Sequence, residues 1–359
     1  MPQKQMEQVM RNELGSDWRS HFEAFEDIPI AAASIGEVHA AVLPQHSVGG
    51  EMISEAKRNV VVKVQYPGVA KSIDSDLNQL RSLLLFSKLL PRGLYLENTI
   101  ASARRELGWE TDYLREAANI KRFRSLLESD SAFIVPKVYD ELTTQRVLTV
   151  QRMPGVPFAS LDIASLDQPS RDWIGENILR LALREVFEFR FMQTDPNWGN
   201  FMFDASSKRP RIPLLDFGSA RDFSDDFVLK YRRLLEAAVA NNREMCEQYS
   251  LDIGYLTGYE SKMMVDAHVN SMLVLAQPFT PGASGRFDFA AQDITTKVRE
   301  SIPVMLEHRL TPPPEETYSL HRKLSGAFLL CAKIGAKVRS RKLWEDVMDK
   351  SQKVLPDAK

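Results

Sequence analysis

The sequence predicts an α+β protein of two lobes, a strand-rich first half followed by a helix-rich second half. Val60-Val61-Val62-Lys63-Val64-Gln65-Tyr66 is a β-branched run closed by Pro67-Gly68, the clearest strand in the chain. Beyond Met153-Pro154-Gly155 the apolar residues recur mostly at intervals of three and four, the period of a helix. A length of 359 residues is long for one core and suits two lobes. Hydrophobic residues at 44% and charged residues at 26% make ordinary globular composition. With 46 Lys and Arg against 48 Asp and Glu the net charge is −2, without the basic footprint of a nucleic-acid binder. Cys246 and Cys331 lie far apart with no C-x-x-C, so neither a disulfide framework nor a zinc site is expected, and a reducing compartment suits the chain. No apolar run reaches the about 18 to 20 residues of a membrane span, so no transmembrane span is expected in this chain. The first residues carry acid and lack an Arg/Ser bias, and neither a secretory signal nor a transit peptide is visible.

The elements follow in order. Met6, Val9, Met10, Leu14, Trp18 and Phe22 predict one or two short helices over 5–27, broken at Gly15-Ser16. Residues 28–43 read as strand, tight loop, strand around Ala31-Ala32-Ala33-Ser34-Ile35-Gly36, and 44–59 as a polar loop. Helices are predicted over 72–90, stopped by Pro91, and over 99–127 as one long charged stretch. Strands are predicted over 133–139 and 146–151, then a lobe boundary at Met153-Pro154-Gly155. The second half reads as helices over 172–191, 224–248, 261–276 and 318–338, interrupted by short strands over 201–203 and 211–215. The organisation is thus a helical extension over 1–27, a first lobe over 28–153 and a helical second lobe over 154–359.

Leu214-Leu215-Asp216-Phe217-Gly218 follows an apolar strand, and alone is a weak signal. Twenty-one residues before Asp216 stands Asp195, with Asn200 five residues after it. That order is the spacing of a kinase catalytic loop. One Asp orients the attacking hydroxyl, the Asn holds a magnesium ion, and the Asp of Asp-Phe-Gly holds the other. Phosphate-bound magnesium takes hard oxygen ligands, which both residue types supply. Lys63 sits within an apolar strand, where its burial requires a partner. It reads as the phosphate-gripping lysine, or else as an edge lysine facing solvent. Candidate partners are Glu110, Asp112 and Glu116. Asp112 and Glu116 are spaced to share one helix face, with Glu110 on another; Arg115, Lys121 and Arg122 would balance them on a solvated helix. Where an ordinary kinase has G-x-G-x-x-G, this chain has Ala31-Ala32-Ala33-Ser34, stiffer and less able to hug phosphate. Gln193-Thr194 replace His-Arg, no Ala-Pro-Glu follows, and a capped helix start at Ser224 leaves little room for a peptide-docking segment.

The segments AAASIGEVHAA, VVKVQYPGV, ELGWETDYLREAAN, FMQTDPNWGNF, LLDFGSAR and PPPEETYSLHRKL together resemble the UbiB family of atypical kinases over about residues 6 to 338. The Thr-Asp-Pro-Asn-Trp loop is similar to that of the mitochondrial coenzyme Q branch, in a fungal-like, N-terminally shortened form. The resemblance implies a two-lobed protein-kinase-like fold with an alanine-rich nucleotide loop and a helical C-lobe. It implies binding of ATP or ADP with Mg²⁺, ATPase activity, and support of ubiquinone biosynthesis at the matrix face of the inner mitochondrial membrane. The partners it implies are coenzyme Q-biosynthesis proteins and inner-membrane lipids. Site residues carried over are Ala31, Ala32, Ala33 and Ser34 as the nucleotide loop, and Lys63 on phosphate. Glu110 and Asp112 form the family's ExD motif, with Glu116 as partner of Lys63. Gln151, Arg152, Met153 and Pro154 fall at the adenine hinge, Asp195 is catalytic, and Asn200 and Asp216 bind metal. The family's K-x-G-Q motif is not found, and the chain begins about 30 residues before the alanine-rich loop. Two other roles stay open on the residues: a phosphotransferase acting on a small molecule, lipid or protein, and a nucleotide-sensing scaffold. Six histidines show no metal-ligand spacing. The basic run Lys333, Lys337, Arg339, Arg341, Lys342 reads as a solvated helix face or an anionic-lipid contact.

Overall fold

The computed structural model describes residues 1–45, 55–87, 95–206, 209–280 and 285–355. Pro91, expected to stop a helix, and His46 and Gly49-Gly50 of the polar loop lie outside the described residues. The chain divides into two compact units. The first comprises Met1–Ser82, Ala101–Leu161 and Trp198–Ala220; the second comprises Leu83–Ile100, Asp162–Asn197 and Arg221–Lys359.

The first unit is built on a sheet of β1 (Ala24–Phe25), β2 (Ala31–Ala32), β3 (Gly36–Val42), β4 (Asn59–Gln65) and β6 (Val147–Gln151). Its order is β1-β3-β4-β6, with β2 also on β3, and every pairing is antiparallel. Strand β5 (Phe133–Ile134) pairs in parallel with Ile212–Pro213 elsewhere in the unit. Alternation along β4 sends Val60, Val62 and Val64 to one face, where each is fully buried. Met6, Val9 and Met10 of helix α1 (Gln3–Leu14) join the same core with Trp18 and Phe22. Lys63 is therefore turned to the opposite face. Gly36 is required by its surroundings: a Cβ there would come within 2.4 Å of the Val64 carbonyl oxygen and 2.9 Å of the Tyr113 hydroxyl.

The sequence expectations meet several corrections here. Residues 24–25 form an edge strand rather than helix, after a short 3₁₀ turn at Trp18–His21. Helix α2 (Glu55–Arg58) leads into β4, and α3 runs over Val69–Ser87. The long helix expected over 99–127 is two helices, α4 (Leu96–Glu110) and α5 (Tyr113–Leu126). The break falls at Asp112, whose carboxylate accepts the Arg115 N–H and caps α5. Asp112 and Glu116 thus do not share a face of one continuous helix. Of the strand expected over 133–139 only Phe133–Ile134 is regular; Val138 forms an isolated bridge to Val150.

The second unit is helical. Helix α6 (Gln168–Phe187), capped by Asp167, is buried along most of its length and ends before a short strand, Phe191–Gln193, where helix was expected. The expected helix over 224–248 is again two: α7 (Asp225–Val239), capped by Ser224, and α8 (Arg243–Asp252), capped by Asn242. Helix α9 (Lys262–Ala276), expected over 261–276, is capped by Ser261. Helix α11 (Glu315–Ile334) ends at Gly335 in the left-handed region, φ 66°, and Lys337–Val338 returns as strand. Two helices were not predicted: α10 (Ile294–His308), which contains Pro303, and α12 (Ser340–Val354). In the basic run, Arg339 pairs with Glu176, Arg341 with Glu345 and Lys342 with Asp346. No helix among the described residues is long and apolar enough to cross a membrane.

Candidate active site

The site grows from β4 and α5. Lys63 extends from the face of β4 opposite the valine core and places Nζ 2.9 Å from Glu116 Oε2, 3.1 Å from Oε1 and 3.4 Å from Asp216 Oδ2. Its ammonium also lies 5.1 Å from the Tyr113 ring centre. Burial lowers the pKa of Lys63, but the charges of Asp216 and then Glu116 outweigh it and hold the lysine above its ordinary value. Glu116 is 2% exposed. Burial pushes it up to about 7, although Lys63 pulls the other way and Asp216 adds to the rise. One lysine thus faces two carboxylates in a largely desolvated corner.

Helix α5 is the organiser of this corner. Glu116 takes Lys63, and the Asn119 side-chain amide donates to the Phe217 carbonyl at 2.9 Å. Arg115 donates to the Gly218 carbonyl at 2.7 Å and also to the Ala220 carbonyl, while lying over the Trp109 ring at 4.5 Å. The Phe123 ring meets Phe217 at 5.0 Å between centres. Residues 115, 116, 119 and 123 follow the three-to-four spacing of one helix face. That spacing was the available signal for Arg115 and Asn119, which the sequence analysis assigned to solvent or left out. Gly218 closes the corner by donating its N–H to Asp216 Oδ1 at 2.9 Å. A Cβ on Gly218 would stand 3.4 Å from Asp216 Oδ1, 3.6 Å from Glu116 Oε2 and 3.8 Å from the Glu110 Cα. Glu110, at the end of α4, therefore belongs to the same corner, whereas Asp112 spends its carboxylate on the α5 cap.

Asn200 ends a 3₁₀ turn at Trp198–Asn200, and its carbonyl accepts the Leu215 N–H at 2.9 Å. That bond sets Asn200 beside the residue preceding Asp216. Asp216 is 36% exposed along its side chain, so its hard-oxygen carboxylate remains partly open, and carboxylate and amide oxygens are the donor types magnesium takes. Ala31 and Ala32 are exposed on β2, in register with Val38 and Glu37, and Ala33 and Ser34 form the turn into β3, where the Ala33 N–H bonds the Gly36 carbonyl at 2.9 Å. The alanines are thus half strand and half loop. Gln151 ends β6 opposite Val60; Arg152 donates its N–H to the Asn59 carbonyl at 2.9 Å, Met153 is buried and Pro154 exposed.

Asp195 belongs to the second unit, and there its Oδ1 accepts the Asn197 N–H at 3.2 Å. The strand that leads to it is anchored by a residue the sequence analysis did not single out. Lys323 of α11 is 5% exposed. It donates to the Gln193 carbonyl at 2.9 Å and pairs with Glu185 of α6 at 3.0 Å. Next to it, a Cβ on Gly326 would meet Pro196 Cβ at 2.4 Å, so α11 and the Asp195 loop need a glycine between them.

Residues 1–250 match the family model of the ABC1 atypical kinase-like domain. The chain is 51% identical over 347 residues to the mitochondrial atypical kinase COQ8 of Saccharomyces cerevisiae, covering 97% of this chain and 66% of that protein. It is 45% identical over 359 residues to the mitochondrial atypical kinase COQ8B of Rattus norvegicus, covering 99% and 65%. The chain spans about half to two-thirds of the length of the first curated relatives it matches. Among solved structures, Rv3197 of Mycobacterium tuberculosis, determined with erythromycin, superposes with a TM-score of 0.72 at 22% identity, covering 98% of this chain and 84% of that one. That likeness is one of fold.

Proposed function

This chain belongs to the ABC1 atypical kinase-like family, and from that premise we propose that it binds Mg-ATP or Mg-ADP, acts as an atypical kinase with ATPase activity, and supports ubiquinone synthesis. The observation that carries the reading is the corner where Lys63 meets both Glu116 and Asp216. A satisfied structural pair needs one acid per lysine; the second carboxylate leaves net negative charge for a cation to neutralise. Lys63 would hold phosphate oxygens while Glu116 fixes its position. Asp216 and Asn200 would hold magnesium, which when bound offsets the charge that develops on a transferred phosphoryl group. Asp195 would orient water or an acceptor hydroxyl. Glu110 would border the phosphate end of the site, with Ala31 to Ser34 over the nucleotide and Gln151 to Pro154 along the adenine. The curated relatives carry names that are mitochondrial, and a place at the matrix face of the inner membrane, beside coenzyme Q-biosynthesis proteins and membrane lipids, belongs to the same proposal.

The test is phosphate release by the purified protein, with and without anionic-lipid vesicles. The wild type is expected to release phosphate only with magnesium, and Lys63→Met and Asp216→Asn to lose that release. Equal release by wild type and both variants would overturn the assignment.

A further inference from the structure

Helices α9, α10 and α11 of the second unit enclose a cavity of about 560 Å³ that none of the residues assigned above uses. Met272 and Leu275 of α9, Val298 and Ile302 of α10 and Phe328 of α11 give it an apolar wall. The size and lining are those of a pocket that buries one small ligand.

The cavity also holds charge. Arg309, just past α10, lines it and makes no ion pair among the described residues. Arg299 is a second cation in the same lining, and burial pulls the Arg309 guanidinium down. Its Nη2 reaches only Met305 Sδ at 3.7 Å, and its buried Nε has no hydrogen-bond partner among the described residues. Two histidines line the same cavity. His268, 2% exposed, donates through Nε2 to Ser250 Oγ at 3.0 Å, because that hydroxyl itself donates to the Cys246 carbonyl, and its Nδ1 is an acceptor unpartnered among the described residues. The buried Nε2 of His321 is likewise unpartnered. Burial, reinforced by Arg309, holds both rings neutral, with His268 brought down to about 3 and His321 to about 4.

A half-buried cation without an ion-pair partner is costly, and so is each buried nitrogen left without a hydrogen bond. The guanidinium, unpaired among the described residues in a largely apolar cavity, specifies a complement: an anion at one end and hydrocarbon over the rest. A carboxylate fits the planar fork of a guanidinium with two oxygens, and a neutral imidazole can add a hydrogen bond. We propose that this cavity binds a fatty-acid-like ligand, a single-chain amphipathic carboxylate, with its carboxylate on Arg309 and its chain between α9 and α10.

The test is calorimetric titration of the full chain with dodecanoate, kept below its micelle concentration, and with dodecanol. The wild type is expected to bind dodecanoate about tenfold or more tightly than dodecanol. Arg309→Met should lose that preference and bind the two probes alike. Ile302→Trp, a bulky change at a cavity-lining position 40% exposed, should lose both. Without ligand, Arg309→Met should melt no lower than the wild type, because it removes an uncompensated charge. Dodecanol binding as tightly as dodecanoate, dodecanoate affinity unchanged in either variant, or no binding of either probe would each overturn the proposal. So would Arg309-dependent binding of phosphatidylglycerol vesicles without binding of dodecanoate, which would assign the guanidinium to a bilayer headgroup.

Discussion

Lys323 and Lys63 both sit in ion pairs with buried glutamates, and their surroundings differ. Lys323 in the second unit has Glu185 at 3.0 Å and the Gln193 carbonyl at 2.9 Å, and both charged side chains are almost fully buried. Its one positive charge meets one negative charge. Lys63 in the first unit has Glu116 at 2.9 Å and Asp216 at 3.4 Å, and Asp216 remains partly open to solvent. The closed pair can only hold α11, α6 and the strand before Asp195 together. The open one carries an excess carboxylate beside exposed surface, so it can accept a further cation and its ligand. Burial is similar in the two pairs; the balance of charge differs.

The largest expected effect comes from breaking the closed pair. Lys323→Met strands the Glu185 charge inside the second unit and should cost about 3–5 kcal/mol by denaturant unfolding. Lys63→Met should cost markedly less, because Asp216 beside it stays partly open to solvent and can keep its hydration. Equal losses would remove the distinction between the two sites. Next is Arg115→Ala, which deprives the Gly218 and Ala220 carbonyls of their donor. It should lower stability by about 1–3 kcal/mol and weaken nucleotide binding, both read in one thermal-shift titration.

A smaller effect separates the units by pH. Glu116 has a folded pKa of about 7, above its ordinary 4.5, so its contribution is complete below 4.5 and lost as pH rises through about 7. His268 and His321 are depressed from 6.5 to about 3 and about 4, so their contribution is present above 6.5 and lost as pH falls toward those values. Between pH 7 and 4, acid should therefore loosen α9 and α11 while favouring the Lys63 corner. Hydrogen exchange by segment, corrected for intrinsic rates, should show protection falling first in the second unit; loss beginning in β3 and β4 would contradict this. The smallest effect is that of Ala32→Gly, costing about 0.5–1 kcal/mol in the exposed strand β2. It should alter nucleotide preference or turnover, and an unchanged enzyme would place the alanine-rich turn off the nucleotide.

Much of this corner was legible in the amino-acid order. Lys63 interrupts the apolar run of β4, which marked it as needing a partner, and Glu116 was among the partners named for it. The break between α4 and α5 was not legible, because charged residues continue a helical period through Asp112 while its carboxylate competes for the backbone. Asn241 and Asn242 hide the turn between α7 and α8 in the same way: Asn241 adopts φ 54° and Asn242 caps the next helix. Lys323 lies 130 residues from Gln193, and no local pattern announces a contact made only when α11 folds against α6. Pro303 reads as a breaker, yet α10 runs through it.

The central claim is that Lys63, Glu116 and Asp216 form a magnesium-nucleotide site, and nucleotide affinity measured across a magnesium titration, wild type beside Asp216→Asn, tests it most directly. The account predicts tightening with magnesium in the wild type and a flat, weak response in the variant. Equal magnesium-dependent tightening in both proteins would contradict it.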